Sequence, residues 1–402
     1  MTTTINNEHK KLNVPNTTDK ENAIRNVPHL RFPEFTGEWK ECKLSDFCTF
    51  FSGGTPSSSN KDFYGGDIAF IRSGELHADS TELFITQVGF ESSSAKMVEV
   101  GDLLLAMYGA TSGDIAISKI EGAINQAILC IKTKYNKKFI ESVWNKHVSR
   151  ILRKYLQGGQ GNLSADIVKG ISFSFPTLTE QERIANFMSL LDERIVTQTK
   201  IIEELKKLKC AIIEKLYSKI QGKEYSFGQL FEVVNERNKQ MKYSNILSAS
   251  QEKGMVNRDD LNLDIQFERS NINTYKIVRA GDYVIHLRSF QGGFAFSDKL
   301  GVCSPAYTIL RPKEVLEYGY LSYFFMSRQF IKSLILVTYG IRDGRSINVE
   351  EWLGMKTKLP SKEEQRKILN VLCCFDEKIQ NEENMLNKLS KQKQYLLRQM
   401  FI

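Results

Sequence analysis

No apolar run in this 402-residue chain approaches the roughly 20 residues that span a bilayer; the longest, such as 103–107 and 333–337, are far shorter. The opening MTTTINNEHKK is polar and has no apolar core, so no secretory leader is expected and a soluble cytoplasmic protein is the default. The seven cysteines are scattered, odd in number and without a C-x-x-C pair, which excludes a disulfide framework and leaves small buried hydrophobes as their reading. The five histidines form neither H-x3–5-H nor H-E-x-x-H, so no metal site is expected. There is no G-x-x-x-x-G-K-[ST] and hence no P-loop for ATP. No two of the eight prolines are adjacent, which excludes the Asn/Asp-Pro-Pro-aromatic loop with which amino-methyltransferases hold a flipped base. Gly159-Gln160-Gly161 is a lone G-x-G with no strand before it. Glu204-Leu205-Lys206 has the spacing of some nuclease centres, but Leu205 belongs to an apolar helix stripe and no Pro-Asp element precedes it. Neither catalytic residues nor a resident cofactor are expected.

What is present is a globular composition. Hydrophobic residues make up 41% and charged residues 25%, with 24 Phe and 15 Tyr to fill cores, and the length suits two or three domains. Basic residues outnumber acidic by 55 to 47, a net charge of +8 that is compatible with a polyanionic partner without demanding one.

The chain repeats itself. FPTLTEQERIANFMSLLDERI (175–195) recurs as LPSKEEQRKILNVLCCFDEKI (359–379), and from Pro176 to Leu216 an offset of 184 makes 11 of 41 positions identical without a gap. Among them are Pro176/Pro360, Glu180/Glu364, Gln181/Gln365, Ile184/Ile368, Asn186/Asn370, Asp192/Asp376 and Glu193/Glu377. Thr177 with Glu180, and Ser361 with Glu364, fit a capping box at a helix start. Apolar residues then recur at Ile184, Phe187, Leu191, Ile195, Ile202, Leu205, Leu208, Ile212 and Leu216, with Gln198 completing the row. The second copy carries Ile368, Val371, Phe375, Ile379, Leu386, Leu389, Leu396 and Met400. The spacing predicts two helices of about 40 residues, each roughly 60 Å long, that pair as an antiparallel coiled coil.

The preceding segments correspond more faintly. Gly101-Asp102 matches Gly281-Asp282, and Gly113 and Lys119 match Gly293 and Lys299, at an offset of 180; Leu163, Val168 and Gly170 match Ile347, Trp352 and Gly354 at 184. Strand-like runs at 68–71, 102–107, 127–132, 282–287 and 307–311 alternate with Gly- and Ser-rich turns. The expectation is an α+β chain with pseudo-twofold duplication. A disordered tail (1–26) precedes a globular domain (27–176), a long helix (177–220), a second domain (221–360) and a second helix (361–402).

The turns of the two halves suit nucleic acid. Ser52, Gly53, Gly54 and Thr55 open a flexible run with free backbone N–H groups; Arg237, Asn238 and Lys239 stand at the corresponding place in the second half. The turn 108–113, with Tyr108, Thr111 and Ser112, aligns with 288–293, with Arg288, Ser289 and Gln291. The segment 157–164, with Gln160 and Asn162, aligns with 341–348, with Arg342, Arg345 and Asn348. Arg72, Gln126 and Tyr307 complete the candidates. Arg, Asn and Gln read guanine and adenine edges bidentately, and two related domains differing in such turns look like two readers of different specificity.

Together these elements resemble the specificity subunit of type I restriction–modification systems. The residues that carry the resemblance are RFPEFTGEWKECKLSDF (31–47), SGGTPS (52–57), GDLLLAMYGA (101–110), INQA (124–127) and the twice-occurring P-x-x-x-E-Q before a long helix. The second half departs from it, with NERNKQ for GGTPS and Ser304-Pro305-Ala306 for Asn125-Gln126-Ala127. The resemblance implies two target recognition domains, each reading one part of a split, asymmetric site in double-stranded DNA, with the paired helices setting the unread spacer. It also implies two modification subunits that methylate adenine N6 and restriction subunits that cleave unmodified DNA. S-adenosylmethionine, ATP and Mg would reside on those partners, and no membrane is involved. A coiled-coil scaffold that touches no DNA is the alternative, and a self-sufficient methyltransferase fails on the missing catalytic loop.

Overall fold

The computed structural model describes residues 26–155, 163–250, 253–260, 269–286, 293–339 and 346–402. The chain divides into two compact units, one of residues 1–194 and 389–402, the other of residues 195–388. Each therefore holds part of both long helices, Leu178–Ser218 and Lys362–Met400.

In the first unit a four-stranded antiparallel sheet runs in the order Cys48–Ser52, Ile128–Thr133, Leu103–Ala106, Ile115–Ile117. The second unit repeats this order with Phe231–Val234, Thr308–Pro312, Tyr283–Ile285 and Phe294–Phe296. Lys40–Lys43 pairs antiparallel with Ser172–Phe175, and Lys223–Ser226 with Lys356–Leu359, so each domain begins and ends on one two-stranded ribbon. The repeat legible in the helices thus extends to strand order. The units differ beside the sheet: the first packs the 19-residue helix Lys137–Tyr155 against the edge strand, where the second has the short helices Tyr320–Phe324 and Arg328–Ser333.

The Gly-Asp pairs turn out to be hairpin architecture. Gly101 and Gly281 sit at φ +92° and +97°, a conformation that favours glycine. Their N–H groups donate to the Ser118 and Ser297 carbonyls, each at 2.7 Å. Asp102 and Asp282 are both 2% exposed. Asp102 takes Lys132 at 2.6 Å and Lys137 at 3.4 Å, whereas Asp282 takes the Arg311 guanidinium at 3.0 Å. Burial opposes ionisation of Asp102, but the Glu99 backbone N–H and Lys132 outweigh it and hold the carboxyl below its ordinary range.

The helix starts are related to, but not identical with, a reciprocal capping box. The Thr177 and Ser361 hydroxyls accept from the Glu180 and Glu364 N–H groups at 3.4 and 3.3 Å. The Glu180 carboxylate turns away from the cap, accepting twice from Arg31 at 2.7 Å and once from Trp39 Nε1 at 3.3 Å, while Glu364 is exposed. The repeated glutamine has the constant role: Gln181 and Gln365, both fully buried, donate back to the Pro176 and Pro360 carbonyls at 3.1 and 3.0 Å.

Helix pairing is antiparallel. In the second unit Gln198 Nε2 donates to Glu382 Oε2 at 2.5 Å, and farther along Lys209 pairs with Asp376, so one helix ascends as the other descends. In the first unit Asp192 takes Lys393 at 2.5 Å. Asp192/Asp376 and Lys209/Lys393 are identical at the offset of 184, so each copy of the repeat supplies the acid of one pair and the base of the other. The apolar stripe needs correction. Phe187, Leu208 and Val371 are exposed, whereas Met188, Ile213, Tyr217 and Leu372 are buried. A helix that faces both its partner and a globular domain buries a wider band than a two-helix seam.

Candidate nucleic-acid interface

Strand register decides which turns meet. In the first unit Ser52 and Leu105 both lie opposite Leu129, and Leu105 also lies opposite Ile115. The turns after Ser52, before Ile128 and after Ala106 therefore leave the sheet at one end. In a second sheet Ile71 runs parallel to Ile124, at matching positions, so Arg72 emerges beside Asn125. The Leu163 N–H donates to the Met107 carbonyl at 3.1 Å, drawing the chain after the long helix of this domain to the same place. Four candidate stretches, at 52–55, 72, 108–112 and 126, are thus gathered at one end of the sheet.

Their contacts differ. Thr55 Oγ1 donates to Gln126 Oε1 at 2.5 Å, and both side chains are exposed. Exposed Arg72 is held by Glu75, with Nη2 to Oε1 at 2.6 Å and Nε to Oε2 at 3.1 Å. Tyr108 and Thr111 are half-buried, and Ser112 Oγ donates to the Met107 carbonyl at 3.0 Å. Gly53 and Gly54 are buried; a Cβ on Gly53 would stand 1.7 Å from the Ile124 carbonyl oxygen, and one on Gly54 2.7 Å from Ser94 Cβ. Close approach to the chain's own atoms at Ile124 and Ser94 accounts for both glycines. Ser52 is exposed at the strand end. Gln160 and Asn162 lie outside the described residues.

The second unit builds the same end. Val234 lies opposite Ile309, and Ile285 opposite both Thr308 and Phe294. The turns carrying Arg237, Asn238 and Lys239, and Tyr307, therefore converge. Arg237 and Lys239 are exposed. Asn238 is 1% exposed, with its amide donating to the Tyr243 carbonyl at 2.7 Å and accepting from the Tyr243 N–H at 3.2 Å. It holds its own loop and presents no free edge. Half-buried Tyr307 accepts from Lys276 Nζ at its carbonyl, at 2.6 Å; burial raises the Tyr307 phenol and lowers the Lys276 ammonium from their usual ranges. Asn348 caps the helix Val349–Gly354, accepting from Glu350 and Glu351 N–H groups at 3.1 and 3.3 Å. Arg288, Ser289, Gln291, Arg342 and Arg345 lie outside the described residues.

One pair near these turns escaped the sequence reading. His77 Nε2 and Asp114 Oδ1 are 2.9 Å apart, and the carboxylate's hydrogen bond raises the histidine above its ordinary range despite opposing burial. At 37 positions apart, nothing local in the sequence marked the pair. Among the described residues no cluster of His, Cys, Asp and Glu has the geometry of a metal site, and no helix is long and apolar enough to cross a membrane.

Comparison with known proteins agrees with this geometry. The family model for the type I restriction modification DNA specificity domain matches twice, at residues 36–207 and 221–391. The MjaVIII type I restriction enzyme specificity subunit of Methanocaldococcus jannaschii is 24% identical over 420 residues, covering 94% of this chain and 95% of that protein. The HindI specificity subunit of Haemophilus influenzae is 33% identical over 97 residues, about a fifth of each chain (22% and 20%). A crystal structure of a type I restriction–modification S subunit from M. genitalium shares the fold, with a TM-score of 0.56 at 15% identity, covering 94% of this chain and 99% of that one.

Proposed function

The chain belongs to the type I restriction modification DNA specificity family, and from that membership we propose that it directs a restriction–modification complex to a split site in duplex DNA. Domains 27–176 and 221–360 each read one part, and helices 177–220 and 361–402 set the length of unread DNA between the parts. The observation that carries this reading is the double occurrence of one sheet whose polar, sequence-divergent turns gather at one end. Exposed Arg72, Gln126, Arg237 and Lys239 stand there to meet base edges or phosphates. Ser52, Thr55, Tyr108, Thr111, Ser112 and Tyr307 line the same ends. A scaffold that touches no DNA leaves this repeated arrangement without a role.

The chain itself is non-catalytic in this reading. Two modification subunits dock on it in the cytoplasm and methylate one adenine N6 in each half-site, and restriction subunits join them to cleave unmodified DNA. A methylome tests all of this together. The chain is expressed with the modification subunit encoded beside it, in a host lacking adenine methylation, and N6-methyladenine is mapped by single-molecule sequencing. The expected result is a split motif with one methylated adenine on each strand; a soluble complex that leaves the genome unmethylated overturns the reading.

A further inference from the structure

The helix Lys137–Tyr155 runs along the edge of the first sheet from one end to the other. At its start Lys137 Nζ donates to the Gly101 carbonyl at 2.7 Å, in the turn before Leu103. Farther along, Trp144 Nε1 donates to the Gly113 carbonyl at 2.8 Å, in the turn after Ala106, and a Cβ on Gly113 would meet Val148 and Leu152 at 2.9 and 3.0 Å. The last turn of the helix is thereby carried to the end where Thr55, Arg72, Tyr108 and Gln126 gather.

The last two turns are basic, with Arg153 and Lys154 in the final one and Arg150 in the turn before it. Arg150, Arg153 and Lys154 are exposed. Arg153 Nε donates to the Ser149 carbonyl at 3.2 Å, and Lys154 Nζ lies 5.1 Å from the Tyr155 ring centroid. No carboxylate pairs with any of the three among the described residues; exposed Lys40, Lys43 and Lys134 of the same unit have no such partner either, so what sets the three apart is their clustering at this end of the sheet. One cation is enough to answer the carbonyl end of a helix; three unpaired ones beside the candidate reading turns need another explanation.

The second unit is built differently at the aligned stretch, which forms a short 3-10 turn and strand in place of the helix end. At the offset of 184, residues 149–155 (SRILRKY) align with 333–339 (SLILVTY), sharing Ser149/Ser333, Ile151/Ile335, Leu152/Leu336 and Tyr155/Tyr339. The three positions that differ are the three cations, replaced by Leu334, Val337 and Thr338. Leu334 and Val337 are buried in the core of the second unit and Ile335 and Leu336 are exposed, the opposite face from the first unit, where Ile151 is buried and the cations are exposed.

Resting on the DNA-reading function argued above, we propose that Arg150, Arg153 and Lys154 form a phosphate-binding anchor for duplex DNA, and that the second domain has no counterpart to it at these positions. The anchor acts on the backbone and carries no sequence information. It grips whatever duplex lies against the first domain, and the second domain depends on its turns.

The test needs no knowledge of the recognition sequence, because phosphate contacts act on any duplex. The probe is a fluorescein-labelled duplex of random sequence, titrated by anisotropy with the full chain in complex with its modification subunits over a series of KCl concentrations. Each phosphate contact contributes about 0.9 to the slope of log K against log salt. The R150Q/R153Q/K154Q variant should therefore lower the slope by about 2 to 3 and bind more weakly at low salt, with thermal midpoint unchanged.

A charge-matched control, K40Q/K43Q/K134Q, removes three exposed lysines remote from the gathered turns and should leave the slope nearly intact. R150K/R153K keeps the charge and should retain the slope. An unchanged slope in the glutamine variant, or an equal loss in the control, overturns the anchor while the DNA-reading function stands. Salt-insensitive or absent binding by the wild-type complex overturns both.

Discussion

Replacing Asp192 with Asn tests the helix pairing where its chemistry is most explicit. Asp192 is 24% exposed and accepts from Lys138 at 2.6 Å and Lys393 at 2.5 Å. Fully exposed pairs are worth about 0.2–1 kcal/mol and breaking a buried one costs about 3–5 kcal/mol. Two partners at partial burial place D192N between them, at a loss of about 1–2 kcal/mol. Lys138 keeps Glu141 in the variant, so most of the loss falls on the contact with Lys393. The sign with pH follows from the carboxyl, which burial pushes up but the two lysines hold below its ordinary range. Its contribution is complete above the unfolded value of about 3.9 and disappears as pH falls through the lower folded value. Urea unfolding followed by tryptophan fluorescence reports on this unit through Trp39 and Trp144, both buried in it. The gap between wild type and D192N should be open at pH 7 and narrow steadily below about pH 4. A double-mutant cycle with K393M should give a coupling of about 0.5–1 kcal/mol. A gap that is the same in acid and at neutrality, or zero coupling, refutes the ionic account of the identities at 192 and 393.

Gly53→Ala drives a methyl group to 1.7 Å from the Ile124 carbonyl oxygen, so backbone must shift, and a loss of about 3 kcal/mol is expected by thermal or urea unfolding. Unchanged stability would refute the packing account of this glycine. Asn238→Ala removes two hydrogen bonds that hold the Tyr243 backbone and should destabilise the second unit by about 1–3 kcal/mol; a loss of DNA affinity at unchanged stability would mean that it reads a base after all. Inserting four residues after Leu205, about one helical turn, should lengthen the unread spacer in the methylome and leave both half-sites as they were, and an altered half-site would count against the helices as the ruler.

The duplication was legible because helical repeats leave a dense, gap-free imprint: two 40-residue helices must keep the same contacts at the same spacing. What those identities do was not legible. Asp102 and Asp282 match in sequence, but their cations, Lys132 and Arg311, lie about 30 residues away and differ in type. The stripe was misplaced at Phe187, Leu208 and Val371 because a single-seam reading ignores the globular domain against which the same helix packs. The local roles of Asn238 and Asn348 were not legible, because the amides that match base edges also satisfy orphan backbone groups in turns and helix caps. Gly53 and Gly54 make the same point. Glycine permits close approach, and the sequence does not say to what.

The division between what the repeat keeps and what it changes has a physical basis. Pro176/Pro360, Gln181/Gln365, Asp192/Asp376 and Lys209/Lys393 all have partners inside the fold, and removing one member of such a contact leaves a buried polar group or charge unsatisfied. Positions such as Arg72, Gln126, Arg237 and Lys239 are exposed on turns at the sheet ends, where substitutions usually change stability by no more than about 0.5 kcal/mol. Exchange of turn residues therefore alters what each domain contacts without touching the hairpins and helix pairs that position it, and two copies of one scaffold are free to diverge into readers of different sequence.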